Sequence, residues 1–192
     1  MSAPVFYYDT NSPYAYLAAN RVDEVVPDVT WHPIAFGIVL RELGRVPWSL
    51  GPGRAEGMAE IERRAAERGL PPVRWPEGWP VDTYSLTPLR ALEFADERGR
   101  QRELARALYR LMFEEGASLD EVDNVLRAAR DAGLDPDEVR AAVDDDRVKA
   151  RLREHTDEAM ARGVIGVPTV VVDRQVFWGD DRLEDAAAAT AG

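Results

Sequence analysis

The sequence predicts an α/β domain interrupted by a block of helices. Short β-prone segments gather near the two ends of the chain, in the orders βαβ and ββα, and three helix starts crowd the stretch from Thr87 to Glu138 between them.

Val5-Phe6-Tyr7-Tyr8 is apolar and β-prone, and Asp9-Thr10-Asn11-Ser12-Pro13 ends it with turn and cap residues. From there Tyr14, Leu17, Ala18, Val22 and Val25 recur at helical spacing. This predicts one helix, capped by Ser12 and with proline at its first position. After the Pro27-Asp28 break, Val29, Trp31 and Pro33-Ile34 alternate with polar residues, so a second strand, parallel to the first, completes βαβ. Gly44 to Val81 is rich in Gly, Pro, Arg and Trp and reads as a long connection with a helix around Glu56 to Arg68. Thr87-Pro88, the capping box Ser118-Leu119-Asp120-Glu121 and Asp135-Pro136-Asp137-Glu138 each open a helix. A further helix from Asp146 to Arg162 stops at Gly163, where glycine tolerates a left-handed cap. Gly166 to Val172, a tight turn at Asp173-Arg174 and Gln175 to Gly179 form a β-hairpin, and Asp181 to Ala189 suits a closing helix. The division implied is one α/β domain from residues 1–82 and 164–192, with a helical subdomain at 83–163 inserted into it.

The chain has 192 residues, 45% of them hydrophobic, enough for one sizeable core. A formal net charge of -11 repels phosphate backbones and anionic lipid, which sets nucleic acid and membrane surfaces aside as partners. No apolar run approaches the roughly 20 residues that span a bilayer, and Met1-Ser2-Ala3-Pro4 lacks the basic-then-apolar order of a secretion signal. The expected location is cytoplasmic. Cysteine is absent, which removes disulfides, thiolate nucleophiles and thiolate metal sites together. His32 and His155 lie far apart in sequence and in no metal-binding spacing, so no metal is expected.

Two features meet in space if the βαβ and ββα halves share a sheet. One is the helix start at Ser12, where unpaired N–H groups and the positive dipole end favour an anion such as a thiolate. The other is Val167-Pro168, an X-Pro bond at a strand entrance that can be cis and leave the Val167 backbone open to an extended ligand. Taken singly, each also has an ordinary use as a cap or a loop. Trp31, Trp75 and Trp79 suit packing better than a pocket, whereas Trp178 adjoins the Asp180-Asp181 pair; Asp144-Asp145-Asp146 reads as a solvated helix cap.

The stretch Phe6 to Leu17, with Asn11-Ser12-Pro13-Tyr14 at its centre, resembles the N-terminal signature of the DsbA-like branch of the thioredoxin superfamily that holds kappa-class glutathione transferases and 2-hydroxychromene-2-carboxylate isomerases. Gly163 to Thr169 and Phe177-Trp178-Gly179-Asp180-Asp181-Arg182-Leu183 resemble the second signature, and the similarity runs on through Leu108-Tyr109-Arg110 and Val148 to Leu152. The resemblance implies a thioredoxin-like fold and a thiol-dependent isomerase acting on a small aromatic substrate, with a kappa-class-like transferase or a non-catalytic binding module as alternatives. The implied cofactor is glutathione or another low-molecular-weight thiol.

It also implies roles. Ser12 would hold the thiolate where a Cys-x-x-Cys oxidoreductase has its nucleophile, Ala15 standing in the second cysteine's place. Without a thiolate of its own the chain cannot exchange disulfides. Val167, ahead of Pro168, would pair with the cysteinyl main chain, and Asp180 and Asp181 would receive the γ-glutamyl ammonium or cap the last helix. Asn11 and Trp178 would border the substrate. Where the family carries Gly-Asn, this chain has Gly44-Arg45, and Arg45 suits a bidentate clamp on a carboxylate; Arg54 is the nearest match to a later basic residue. Family members are often dimers, which makes a homodimer the assembly suggested.

Overall fold

A computed structural model of the chain describes residues 3–81 and 83–190. Met1-Ser2, the expected boundary at residue 82 and residues 191–192 lie outside the described residues. Four strands, β1 (Val5–Tyr8), β2 (Thr30–Pro33), β3 (Thr169–Val172) and β4 (Gln175–Trp178), form one sheet in the order β2-β1-β3-β4. β1 runs parallel to β2, with Phe6 opposite Trp31, and antiparallel to β3, with Phe6 opposite Val170. β3 and β4 are the hairpin read from the sequence, turning at Asp173 with φ +51.

The period-2 alternation of a strand divides β1 between two cores. Phe6 and Tyr8 face one cluster with Trp31, Val170 and Phe177, while Val5 and Tyr7 face another with Ile34, Val39 and Val171. The first cluster continues into helices α5 (Leu86–Glu97), α6 (Gln101–Phe113), α7 (Val122–Asp131), α8 (Pro136–Ala142) and α9 (Asp146–Ala161) through Leu89, Leu108, Val125, Val139 and Val148. Sheet and helices therefore share one continuous apolar interior, to which the closing helix α10 (Leu183–Thr190) adds Leu183 and Ala186. Where α5 packs on α9, Glu93 of α5 is fully buried, bound to His155 Nδ1 at 2.7 Å and 3.2 Å from Arg151. The two histidines, remote in sequence, stack at 4.1 Å.

Several local expectations are corrected. The first helix breaks in two, α1 (Pro13–Ala19) and α2 (Val22–Val25), where Asn20 turns its side-chain amide back onto the Tyr16 carbonyl at 2.9 Å. A helix that the sequence did not announce, α3 (Phe36–Glu42), follows β2; α4 (Arg54–Glu67) is the helix seen within the long connection. Ser118 starts no helix. Its hydroxyl receives the Asp120 amide at 3.3 Å and its carbonyl the Asn124 side chain at 2.8 Å, which makes a turn and defers α7 to Val122. Asp135 does cap α8, accepting from the Asp137 amide, and α9 ends before Gly163, whose φ is +84. α10 begins at Leu183 rather than Asp181, because Gly179, at φ +127, turns the chain so that the Arg182 amide reaches the Gly179 carbonyl at 3.3 Å.

Candidate active site

β1 runs into a turn built on Asp9. The Asn11 amide donates to Asp9 Oδ1 at 2.9 Å and the Ser12 amide to the Asp9 carbonyl at 3.1 Å. This leaves Ser12 extended, at φ -92 and ψ 114, with Pro13 opening α1 behind it. Ser12 Oγ accepts from the Ala15 amide at 3.2 Å, the bond of an N-cap, which contributes about 1 kcal/mol. The same hydroxyl donates to the Val167 carbonyl at 3.4 Å, and Val167-Pro168 is a cis bond. The two features that the sequence singled out are therefore in contact.

They lie on a cleft of about 1170 Å³. Its wall beside Ser12 is aromatic: Tyr14 meets Trp48 edge to face at 5.9 Å, and Trp48 lies 5.9 Å from Trp79. Gly57 admits Trp48, since a Cβ there would come within 2.3 Å of the indole. Trp79 is buried, as read from the sequence, yet its ring also reaches the cleft and donates to the Asn11 carbonyl at 3.4 Å. Trp31 is buried in the core, and Trp75 lies tilted against Trp79, with ring centres 4.6 Å apart. The mouth is apolar and exposed at Val46, Leu50, Val81, Tyr84 and Trp178.

The remaining predicted residues have these places. The Asn11 side chain donates to the Thr83 carbonyl at 2.8 Å and so tethers the loop that frames the mouth. Arg45 lines the cleft, donates to the Ile165 carbonyl at 2.9 Å and lies over the Trp178 ring at 5.3 Å. Trp178 in turn covers Gly166, where a Cβ would stand 2.4 Å from the indole nitrogen. Asp180 is 1% exposed and ion-paired with Arg64 at 2.8 Å and Arg68 at 2.5 Å, whereas Asp181 is exposed at the cleft edge. Arg54 binds the Trp79 carbonyl.

Asp9 is the site residue that sequence reading missed. It lines the cleft at 2% exposure, and burial raises its carboxyl to about 6 although three hydrogen bonds pull it down. Burial likewise raises the Tyr14 phenol. A signal for Asp9 was present: an acid that closes a wholly apolar strand and precedes Asn by two positions suits an Asx turn.

A sequence profile of the DSBA-like thioredoxin domain matches residues 5–191. The chain belongs to the DSBA-like thioredoxin family. This DSBA-like thioredoxin is 26% identical over 190 residues to the 2-hydroxychromene-2-carboxylate isomerase of Sphingobium xenophagum, covering 93% of each chain. It is 27% identical to glutathione S-transferase kappa 2 of Caenorhabditis elegans, over 95% of this chain and 88% of that one. The solved structure of a 2-hydroxychromene-2-carboxylate isomerase superposes with a TM-score of 0.84 at 21% identity, over 98% of this chain and 94% of that one. A probable DsbA oxidoreductase of Streptomyces coelicolor gives 0.75 at 24% identity, covering 97% and 87%. The fold is thus thioredoxin-like, with a mixed four-stranded sheet, and the relatives are isomerases and transferases. The chain itself holds no cysteine.

Proposed function

We propose that this protein is a thiol-dependent isomerase of the 2-hydroxychromene-2-carboxylate type. The observation that carries the reading is the Ser12 hydroxyl at the start of α1, facing the Val167 carbonyl at the head of an aromatic-walled cleft. The residues fit a bound thiol. At 3.4 Å the Ser12 to Val167 hydrogen bond is long and weak, so the hydroxyl turns to a better acceptor with little loss. A low-molecular-weight thiol such as glutathione would supply a nucleophilic sulfur that adds to a conjugated double bond, leaves a rotatable single bond, and departs by elimination. Ser12 and the dipole end of α1 favour the anionic sulfur near neutral pH. Val167 offers its main chain to the ligand backbone. The Asp180 carboxylate is taken up by Arg64 and Arg68, so Asp181, exposed at the cleft edge and sharing the field of Arg64, is the carboxylate left to meet a ligand ammonium. Arg45, fixed by Ile165 and Trp178, presents positive charge to a substrate carboxylate, and the apolar walls hold its rings.

The relative named as a kappa transferase supports a second reading, in which the sulfur stays on an electrophile. Assays of a chromene carboxylate and a halonitrobenzene side by side, with glutathione and other cellular thiols, decide between them. Thiol-dependent isomerisation supports the proposal. Conjugation without isomerisation supports the transferase, and the absence of a thermal shift with any thiol, where 100 times the dissociation constant would add about 2.7 kcal/mol, refutes both and favours a non-catalytic binding module.

A further inference from the structure

Asp9 joins four pieces of the site. Its carboxylate accepts the Asn11 amide on Oδ1 at 2.9 Å, and the Phe36 amide and the Ser85 hydroxyl on Oδ2, each at 3.0 Å. Its main-chain oxygen receives the Ser12 amide at 3.1 Å and the Tyr109 phenol at 3.0 Å. Two helix starts depend on this carboxylate. Ala35, the residue ahead of α3, has no side chain that can cap, and Asp9 supplies the acceptor for the first amide of that helix. Ser85 is the N-cap residue of α5 yet makes no cap bond to its own helix, its hydroxyl being directed to Asp9 instead. A cap serine turned away from its helix toward a buried anion beside the cleft is an arrangement that helix stability alone does not favour.

We propose that Asp9 is a positioning residue for Ser12: as a carboxylate it locks the Ser12 turn to the starts of α3 and α5, and its protonation loosens that lock. The inference deepens the proposed function, on which its kinetic readout rests. From α3, α5 and the Ser12 turn, the groups facing the carboxylate are an amide, a hydroxyl and an amide; from α6 the facing titratable group is the Tyr109 phenol, which burial holds neutral. Among the described residues no cation faces Asp9, so its hydrogen bonds alone hold the charge. Bonds to an ionised acceptor are roughly twice as strong as neutral ones, so protonation weakens all three together.

The amide resonances of Asn11 and Phe36, followed by NMR between pH 5 and 8, test this. In the parent chain both should move with one midpoint near 6, as burial places it. In Asp9→Asn the movement should vanish. In Ser85→Ala the midpoint should rise, because one donor that favours the anion is gone. In the isomerase assay the acid limb of kcat/KM should follow the Ser85→Ala shift, and Asp9→Asn should slow turnover by about tenfold to a hundredfold. Flat amide shifts, or a midpoint that Ser85→Ala leaves in place, would overturn the proposal, even if Asp9→Asn does not fold. Absence of thiol-dependent turnover in the parent chain would instead refute the isomerase reading, since the amide shifts decide the role of Asp9 independently.

Discussion

Ser12 and Val167, 155 residues apart in the chain, meet through a 3.4 Å hydrogen bond from the serine hydroxyl to the valine carbonyl. The bond links the first helix of the βαβ half to the loop that enters the β3–β4 hairpin, and it places the N-cap hydroxyl of α1 against the cis-proline edge. Replacing Ser12 with alanine removes this contact and the cap on Ala15. Thiol-dependent turnover should fall by about 10² to 10³, as for loss of a preorganised donor, with a stability loss of only about 1 kcal/mol. Steady-state kinetics beside urea denaturation would separate the two effects; unchanged turnover rules out a role for the hydroxyl.

Gly166→Ala should displace Trp178. The new methyl would overlap indole atoms at 2.4 to 2.8 Å, and the ring carries Arg45 on its surface. Overpacking of this kind costs about 1 to 3 kcal/mol. Thermal denaturation should record that loss, and calorimetric titration should record weakened binding of an aromatic carboxylate.

Arg68→Ala should destabilise by about 2 to 4 kcal/mol, because Asp180, 1% exposed, keeps its charge with Arg64 alone. Adding Asp180→Asn should recover more than half of the loss, since the stranded charge is then gone. A double variant no more stable than the single one contradicts this account.

His32 and Asp9 should act against each other as pH falls. Burial, reinforced by the stacked His155 ring, lowers the His32 imidazole from 6.5 to about 4. Between those values the unfolded chain binds a proton that the folded chain does not, so His32 takes stability away on acidification. Asp9, raised to about 6 by burial, binds its proton in the folded chain first and adds stability from about pH 6 down to about 4. His32→Phe should therefore gain about 2 kcal/mol on the parent between pH 7.5 and 4.5, allowing for partial solvent access. Parallel urea-denaturation curves at the two pH values would exclude the effect.

The strands were legible because β1, β2 and the hairpin carry apolar runs bounded by turn residues. The α8 cap was legible because Asp135-Pro136 has one favoured use. Ser118-Leu119-Asp120-Glu121 has the letters of a capping box, but Asn124 binds the Ser118 carbonyl and holds the segment in a turn, a contact that lies beyond the four-residue pattern. α3 had no cap residue to announce it, since its capping acceptor comes from Asp9 on another element. In the site, the pairing of Ser12 with Val167 followed from topology. The engagement of Asp180 by Arg64 and Arg68 did not, because it depends on where α4 crosses the hairpin end.

Trp48, Trp79 and Trp75 form a ladder from the cleft wall to Phe113, with successive ring centres 5.9, 4.6 and 5.9 Å apart. Electronic excitation passes readily between indoles at such separations, so a molecule that quenches the outermost ring drains light from the whole series. A cleft guest that quenches Trp48 should therefore dim Trp79 and Trp75 with it, so the chain's own indole emission is expected to follow cleft occupancy without an attached dye.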